Sequence, residues 1–234
     1  MSDRAESLRA RLGEARLLLL FTPGLSSDPW AALDAALPHV DAVQVRPKPL
    51  GDADPSAPLA VSEARASYDM ARGVLQRCDA MGDCAPLVFI NDRVDVARAL
   101  LPAGLAGVHL GQDDCPASVA RDFLGPEALI GLSTHDAVQA VEAAEQPIDY
   151  LGFGPVYATP TKGYGRGLGP ERAWVVAETL ELPVFPIGGI DVLRASELQR
   201  VGRVAVGSAV LSTTDPGLAA QAIAAALGSE PDRG

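Results

Sequence analysis

The stretch Leu87 to Asp114, LVFINDRVDVARALLPAGLAGVHLGQDD, carries the fold in miniature. It opens on an apolar run, Leu87 to Asn91, whose Val, Phe and Ile suit a buried, pleated strand. Asn91 and Asp92 punctuate the run. Apolar positions then recur at helical spacing from Val94 to Leu101, Pro102 and Gly104 stop that pattern, and a second short run, Gly107 to Leu110, follows. The runs do not alternate strictly between apolar and polar residues, as they would if one face met water. That is the signature of a parallel sheet covered on both faces and built from strand–helix–strand units.

The same grammar extends outward in both directions. Candidate strands are Leu17 to Thr22, Ala42 to Arg46, Leu87 to Asn91, Gly107 to Leu110, Leu129 to Ser133, Tyr150 to Gly154, Val184 to Gly188 and Val204 to Gly207. Helical patterns include Val94 to Leu101, Ala117 to Leu124, Ala137 to Glu145, Glu171 to Leu180, Leu193 to Val201 and Leu218 to Leu227. Eight such units in 234 residues fit an α/β fold, a (β/α)8 TIM barrel, as a single domain over 1–234. A doubly wound open sheet uses the same units and is the structural rival, although no Gly-x-Gly-x-x-Gly pattern follows the first strand. Residues 2–15 read as a polar amphipathic helix laid across one end of the barrel, and residues 47–58 as a long loop after strand two.

Composition narrows the function. Hydrophobic residues at 48% against 21% charged describe a folded globular chain. A formal charge of −11 argues against a nucleic-acid or anionic-membrane binder, because such proteins attract phosphate with a net positive field, so any anionic ligand must be held locally. The longest apolar run, Leu17 to Phe21, is too short to span a bilayer, and Met1 to Arg16 lacks the apolar segment of a signal peptide; a cytoplasmic protein is expected. Cys78, Cys84 and Cys115 show no Cys-x-x-Cys spacing and read as reduced thiols.

In such a barrel the active site lies where the strands end, and those ends are polar here. Gln44, Arg46 and Lys48 share one face of a strand, since residues two apart point the same way, and together they can grip a multiply charged anion such as a diphosphate. Asp92 and Asp114 follow neighbouring strands and suit Mg²⁺, which takes one or two protein carboxylates and completes its shell with water and phosphate oxygens. A helix N-cap is the competing role for Asp92, and a capping pair before Pro116 the competing role for Asp113 and Asp114. Thr159-Pro-Thr-Lys162, followed by glycines and Arg166, reads as a hydroxyl- and cation-bearing loop able to close over phosphate. Gly188-Gly189 and Gly207-Ser208 fit a backbone phosphate site after strands seven and eight. His109, within an apolar run, reads as a hydrogen-bonded barrel-interior histidine; His135 reads either as an acid or base or as a helix N-terminal residue. His39 reads as surface, and Tyr150, Phe153, Tyr157 and Trp174 as core, with Tyr157 the best candidate for an exception because it lies on the strand-six exit.

These stretches in this order resemble the thiamine phosphate synthase (thiamine-phosphate pyrophosphorylase) family: Gln44-Val-Arg-Pro-Lys48, Phe89-Ile-Asn-Asp-Arg93, Gly107-Val-His-Leu-Gly-Gln-Asp-Asp114, Ile130-Gly-Leu-Ser133, Asp149-Tyr-Leu-Gly-Phe-Gly-Pro155, Thr159-Pro-Thr-Lys162 and Pro186-Ile-Gly-Gly-Ile190. The resemblance implies a (β/α)8 barrel that joins hydroxymethylpyrimidine diphosphate to a thiazole phosphate, releasing diphosphate and forming thiamine phosphate. It implies that Gln44, Arg46, Lys48, Asn91, Ser133 and Lys162 bind the pyrimidine diphosphate. It further implies that Asp92 and Asp114 hold Mg²⁺, and that Thr159, Thr161, Gly189, Gly207 and Ser208 hold the thiazole phosphate. Arg46, Lys48, Lys162 and Ser133 would be the catalytic set, working by stabilising the departing diphosphate and not through a covalent nucleophile. The chain departs from the family pattern at Pro47, where an acidic residue is usual, at the short Gly202 to Val204 turn, and at Gly207, where a hydrophobic residue is common.

Three rivals stand beside this. A related thiazole tautomerase of the same fold would use histidine, which His135 could supply, but has no need of the diphosphate and metal set. A catalytically silent phosphate-ligand barrel would show no Mg²⁺-dependent rate, and another phosphate-handling barrel would share the glycines but not Thr159 to Lys162. The expected partners are small molecules, with no nucleic acid or membrane; a homo-oligomer is left open.

Overall fold

The computed structural model describes residues 3–47, 61–158 and 167–228. Eight strands are present: β1 (Leu17–Phe21), β2 (Ala42–Val45), β3 (Leu87–Asn91), β4 (Gly107–Leu110), β5 (Leu129–Thr134), β6 (Tyr150–Phe153), β7 (Val184–Pro186) and β8 (Val204–Val206). Their order is β7-β6-β5-β4-β3-β2-β1-β8, with every ladder parallel. The first strand therefore pairs with the second and with the last, which an open doubly wound sheet does not do. Closure between β7 and β8 rests on one parallel bridge, Ile187 to Ala205. Both strands there are only three residues long, and Pro186 lacks the N–H that would extend a ladder.

Six strands differ from the sequence expectation by one or two residues at their C-terminal ends. The trimmed residues still hold on from one side: Arg46 N–H donates to Phe21 O at 2.8 Å and Gly154 N–H to Thr134 O at 3.0 Å. These half-bonded ends leave the ladder and turn toward the mouth of the barrel.

The helices are α1 (Asp3–Glu14), α2 (Pro29–Ala36), α3 (Val61–Asp79), α4 (Val94–Leu100), α5 (Ala117–Leu124), α6 (Ala137–Ala144), α7 (Pro170–Thr179), α8 (Val192–Glu197), α9 (Ser208–Leu211) and α10 (Pro216–Ala226). Aspartates start four of them: Asp28, Asp136, Asp191 and Asp215 each accept a hydrogen bond from the backbone N–H three residues on.

Strand β1, Leu-Leu-Leu-Leu-Phe, shows why the runs do not alternate. Leu17, Leu19 and Phe21 pack outward under the helices, while Leu18 packs inward with Ala42, Leu87, Phe89, Leu129, Tyr150, Phe185 and Ala205. Both faces are dry. Leu8 and Leu12 of α1, with Ala15, join this inner cluster, so the N-terminal helix stoppers the bottom of the barrel as expected. Polar ties hold it there: Arg9 pairs with the buried carboxylate of Asp149 at 2.9 Å, Arg121 meets the same carboxylate at 2.6 Å, and Arg203 donates to Gly13 O at 3.0 Å. With the bottom plugged, the open end lies at the strand C-termini.

Candidate active site

That end holds a cavity of about 400 Å³, a size typical of small-molecule sites. Seven of the residues expected to bind substrate line it, Gln44, Arg46, Asn91 and Ser133 on one side and Gly189, Gly207 and Ser208 on the other, with His109, His135 and Gly188 beside them. Lys48, Thr159, Thr161 and Lys162 lie outside the described residues, as does most of the expected loop 47–58. Asp92 and Asp114 are not among the lining residues.

The polar side is built by strand alternation. Gln44 and Asn91 are buried, and Gln44 Nε2 donates to Asn91 Oδ1 at 2.5 Å across β2 and β3. That bond fixes both amides and leaves the Asn91 NH₂ group and the Gln44 carbonyl oxygen as the remaining polar atoms of the pair. Arg46, next but one to Gln44, is half-buried; burial pushes its pKa down, opposed by the negative field of Asp92. A guanidinium does not lose its proton under such a shift, so Arg46 is a poorly hydrated cation facing the cavity.

Asp92 is the one non-glycine residue among those described with a left-handed backbone, φ 62°. Its N–H donates to His109 O at 2.8 Å, continuing the β3–β4 pairing. It does not cap α4, whose N-cap position is Arg93 with no side-chain bond. Asp113 and Asp114 do not cap α5, which starts from Pro116; Asp114 Oδ2 instead accepts the Gly111 N–H at 2.8 Å. The competing cap roles are thus removed. Strained backbone of this kind persists where surrounding structure enforces it and concentrates at functional sites. Two carboxylates after neighbouring strands, one of them electrically coupled to Arg46, fit a hard divalent cation that draws its other ligands from a phosphate. No group of three or more His, Cys, Asp or Glu side chains converges among the described residues, so the protein donor set would be this sparse one.

The opposite side is built from backbone. Gly188 and Gly189 have φ 99° and 64°. A Cβ on Gly188 would lie 2.6 Å from Pro155 Cβ, and one on Gly189 would lie 2.7 Å from Ala158 O, so neither tolerates a side chain. Gly207 differs: its φ is −130°, and a Cβ would sit 3.5 Å from Leu25 Cδ1, an ordinary contact. A Cβ is sterically tolerated there, so neither backbone angle nor close packing requires this glycine. Ser208 opens α9, whose first turn closes with Val210 N–H on Gly207 O at 3.1 Å. The amides before Val210 have no intrahelical acceptor.

His109 is interior, as expected, with Nδ1 3.0 Å from the Tyr150 hydroxyl and Nε2 2.9 Å from Ser133 Oγ. His135 precedes the N-cap Asp136 and also lines the cavity. Its Nδ1 is 2.8 Å from Gly154 O; a carbonyl only accepts, so Nδ1 carries the proton. Tyr157 does not line the cavity. It lies under the Arg194 guanidinium, 4.9 Å from ring centroid to Cζ, and donates to Glu197 Oε2 at 2.7 Å. Burial, together with Glu197, pushes its phenol well above the usual range.

Sequence reasoning missed Arg194. It lines the cavity from α8 and donates through Nη1 to Gly189 O at 2.5 Å. An arginine in the first turn of a helix reads as solvated charge, and only the position of α8 behind the Gly188-Gly189 turn reveals otherwise. Leu20, Thr22 and Leu25, from β1 and its exit, were missed for the same reason.

A closed parallel barrel whose mouth sets a cation and fixed amides against a glycine-built wall belongs to the class of (β/α)8 barrels. Within that class the chain belongs to the thiamine monophosphate synthase family, whose model matches residues 19–210. A thiamine-phosphate synthase of Gloeobacter violaceus is 38% identical over 90% of this chain and 57% of its own length. One of Mycobacterium sp. (strain KMS) is 40% identical over 83% of this chain and 84% of its own. The chain thus spans little more than half of the first relative and most of the second. Among solved structures, a thiamine phosphate pyrophosphorylase from Pyrococcus furiosus aligns over 94% of this chain and 97% of that one, with 29% identity and a TM-score of 0.74. No helix among the described residues is long and apolar enough to cross a membrane.

Proposed function

We propose that this protein is a thiamine phosphate synthase, joining hydroxymethylpyrimidine diphosphate to a thiazole phosphate with release of diphosphate. The observation that carries this is the opposition, within one cavity, of Gln44, Arg46, Asn91 and Ser133 to Gly189, Gly207 and Ser208. The first set suits an anion attached to a heteroaromatic ring, and the second suits a monophosphate held by backbone N–H groups. Two phosphorylated ligands facing each other is what a transfer between them requires.

In this reading the reaction is dissociative. The bond from the pyrimidine methylene carbon to the diphosphate oxygen breaks first, its electron pair leaving with diphosphate, and the thiazole nitrogen then supplies the pair that forms the new C–N bond. Arg46, with Lys48 and Lys162, stabilises the charge that grows on the departing oxygen; a preorganised cation in a water-poor site is worth more there than in bulk solvent. Asp92 and Asp114 would hold Mg²⁺, which supplies further charge neutralisation on the diphosphate. Gln44 and Asn91, locked to each other, orient the ring. Arg194 holds the Gly189 carbonyl, and with it the β7 glycine turn, in place for the thiazole phosphate. The free thiols of Cys78, Cys84 and Cys115 support a reducing, cytoplasmic setting.

The test is diphosphate release from the purified protein given both substrates with Mg²⁺, with excess chelator, and with the thiazole phosphate omitted. Release that needs every component, accompanied by thiamine phosphate, is expected. The position of His135 on the cavity wall favours one second reading, the tautomerase. Interconversion of thiazole tautomers without diphosphate release would replace the proposal with it.

A further inference from the structure

Beneath the cavity floor, β4, β5 and β6 bring together three hydroxyl- and nitrogen-bearing side chains: Tyr150, His109 and Ser133. Tyr150 is fully buried and does not reach the cavity, while His109, nearly buried, and Ser133 both line it. Space for them is cut by two glycines in the same layer. A Cβ at Gly131 would lie 2.6 Å from His109 Nδ1 and overlap the Tyr150 ring, and one at Gly152 would lie 3.2 Å from His109 Cε1.

The direction of each hydrogen bond follows from counting donors. The Tyr150 phenol stays protonated, since burial raises its pKa well above the usual value. Its O–H needs an acceptor, and the one hydrogen-bond partner of its hydroxyl among the described residues is His109 Nδ1 at 3.0 Å. Tyr150 therefore donates, and Nδ1 carries no hydrogen. In the neutral ring the hydrogen must then sit on Nε2, which donates to Ser133 Oγ at 2.9 Å. The opposite tautomer would leave a phenol O–H buried with nothing to accept it, the costly half of the hydrogen-bond asymmetry. With its oxygen already accepting from Nε2, the Ser133 O–H has no protein acceptor among the described residues and opens on the cavity.

We propose that Tyr150 and His109 are positioning residues that turn the Ser133 O–H to the cavity as a hydrogen-bond donor, so that a ligand acceptor is favoured there over an N–H or O–H group. A lone serine rotates its hydroxyl to suit either partner; here one of the two lone pairs is taken before the ligand arrives, and the O–H is the group left to be satisfied. An acceptor of this kind is a ring nitrogen or a diphosphate oxygen. The functional half of the inference rests on Ser133 being a substrate contact, as in the function proposed above; the tautomer does not.

Two measurements separate these. In protein labelled with ¹⁵N at histidine, long-range ¹H–¹⁵N spectra report which ring nitrogen bears hydrogen; with only three histidines, the His39→Asn and His135→Asn variants assign His109. A neutral ring protonated on Nε2 is expected. Protonation on Nδ1, or an imidazolium near neutral pH, overturns the proposal whether or not the protein proves to be a synthase. The second measurement is a cycle of Tyr150→Phe and Ser133→Ala. Tyr150→Phe should lower kcat/KM for the pyrimidine diphosphate about tenfold, leave KM for the thiazole phosphate within twofold, and have no further effect once Ser133 is alanine. Equal losses for both substrates, or full additivity of the two substitutions, would make Tyr150 merely structural and refute the positioning role. Should Tyr150→Phe fail to fold, the wild-type spectrum still decides. A wild type without synthase activity but with the Nε2–H ring sinks the function and keeps the hydrogen-bond direction.

Discussion

Replacing Gly131 with alanine adds one methyl group to the barrel interior at a point where nothing can yield. The new Cβ would overlap the ring of Tyr150, which is 0% exposed, and lie 2.6 Å from His109 Nδ1. Neither neighbour is the loose end of a flexible chain: one is a ring wedged near Phe89 and Phe185, the other a ring bonded at both nitrogens. Overpacking a close-packed core costs about 1–3 kcal/mol. Parting the Tyr150–His109 hydrogen bond adds about 1 kcal/mol. The expected loss is thus about 2–4 kcal/mol, or roughly 4–16 °C in Tm for a chain of this size. Gly13 is the control, since a Cβ there meets nothing within 4 Å and the residue lies inside α1. The same change at Gly13 should stabilise by up to about 1 kcal/mol through helix propensity. Urea unfolding followed by the fluorescence of Trp30 and Trp174 reads both. A Gly131→Ala protein within about 0.5 kcal/mol of wild type would refute the steric account.

The other predictions probe the site and the scaffold separately. Arg194→Ala frees the Gly189 carbonyl and should raise KM for the thiazole phosphate about tenfold, one charge-assisted hydrogen bond's worth, with kcat and the pyrimidine diphosphate KM unchanged in steady-state kinetics. Asp114→Ala should abolish Mg²⁺-dependent turnover while thiazole phosphate binding, measured by calorimetry, survives; undiminished turnover would remove Asp114 from the site. Asp149→Ala leaves two arginines and the Ile130 N–H facing an empty space where a 7% exposed carboxylate stood, and should cost about 3–5 kcal/mol in urea unfolding. Burial pushes the Cys78 thiol up to about 11, above its unfolded value. The folded state therefore resists the thiolate, and the corresponding stability is present below about pH 9 and declines as pH rises toward 11. At pH 8.5, alkylation followed by mass spectrometry should find the exposed Cys84 modified well before Cys78.

Much of the barrel was legible because its strands are short apolar runs between strong punctuation. β3, β4 and α5 fall on the residues expected from the sequence. What stayed hidden is relational. Nothing in Leu-Leu-Leu-Leu-Phe says which leucine faces the helices and which the interior, since both faces are dry. The role of Asp92 turned on a backbone angle: with φ 62° its carboxylate cannot take the cap position that its spacing from α4 suggested. Arg194 carries no signal at all until α8 is placed behind the glycines of the β7 exit. Tyr157 keeps its core reading and is not the exception its strand-exit position allowed, since such an aromatic faces the ligand or the neighbouring helix depending on what that helix offers, and α8 offers Arg194 and Glu197. The polar residues of the site were the easier part, because Gln44, Asn91 and Ser133 interrupt apolar runs where burial makes polarity expensive.

The plug at the bottom of the barrel has a consequence for the order of events on the ribosome. Helix α1 is made well before the strands it closes, for Leu8 and Leu12 pack among side chains as late in the chain as Phe185 and Ala205, and Gly13 O waits for Arg203. At 5–20 residues per second, roughly 10–40 s separate the two ends of that contact. For that interval the nascent chain carries an amphipathic helix with no surface to lie on, its two leucines open to any hydrophobic neighbour. Its polar outer face, with acids and arginines along most of its length, keeps such a helix in water while it waits. Docking of α1 would then be a terminal event, sealing a barrel that is otherwise complete.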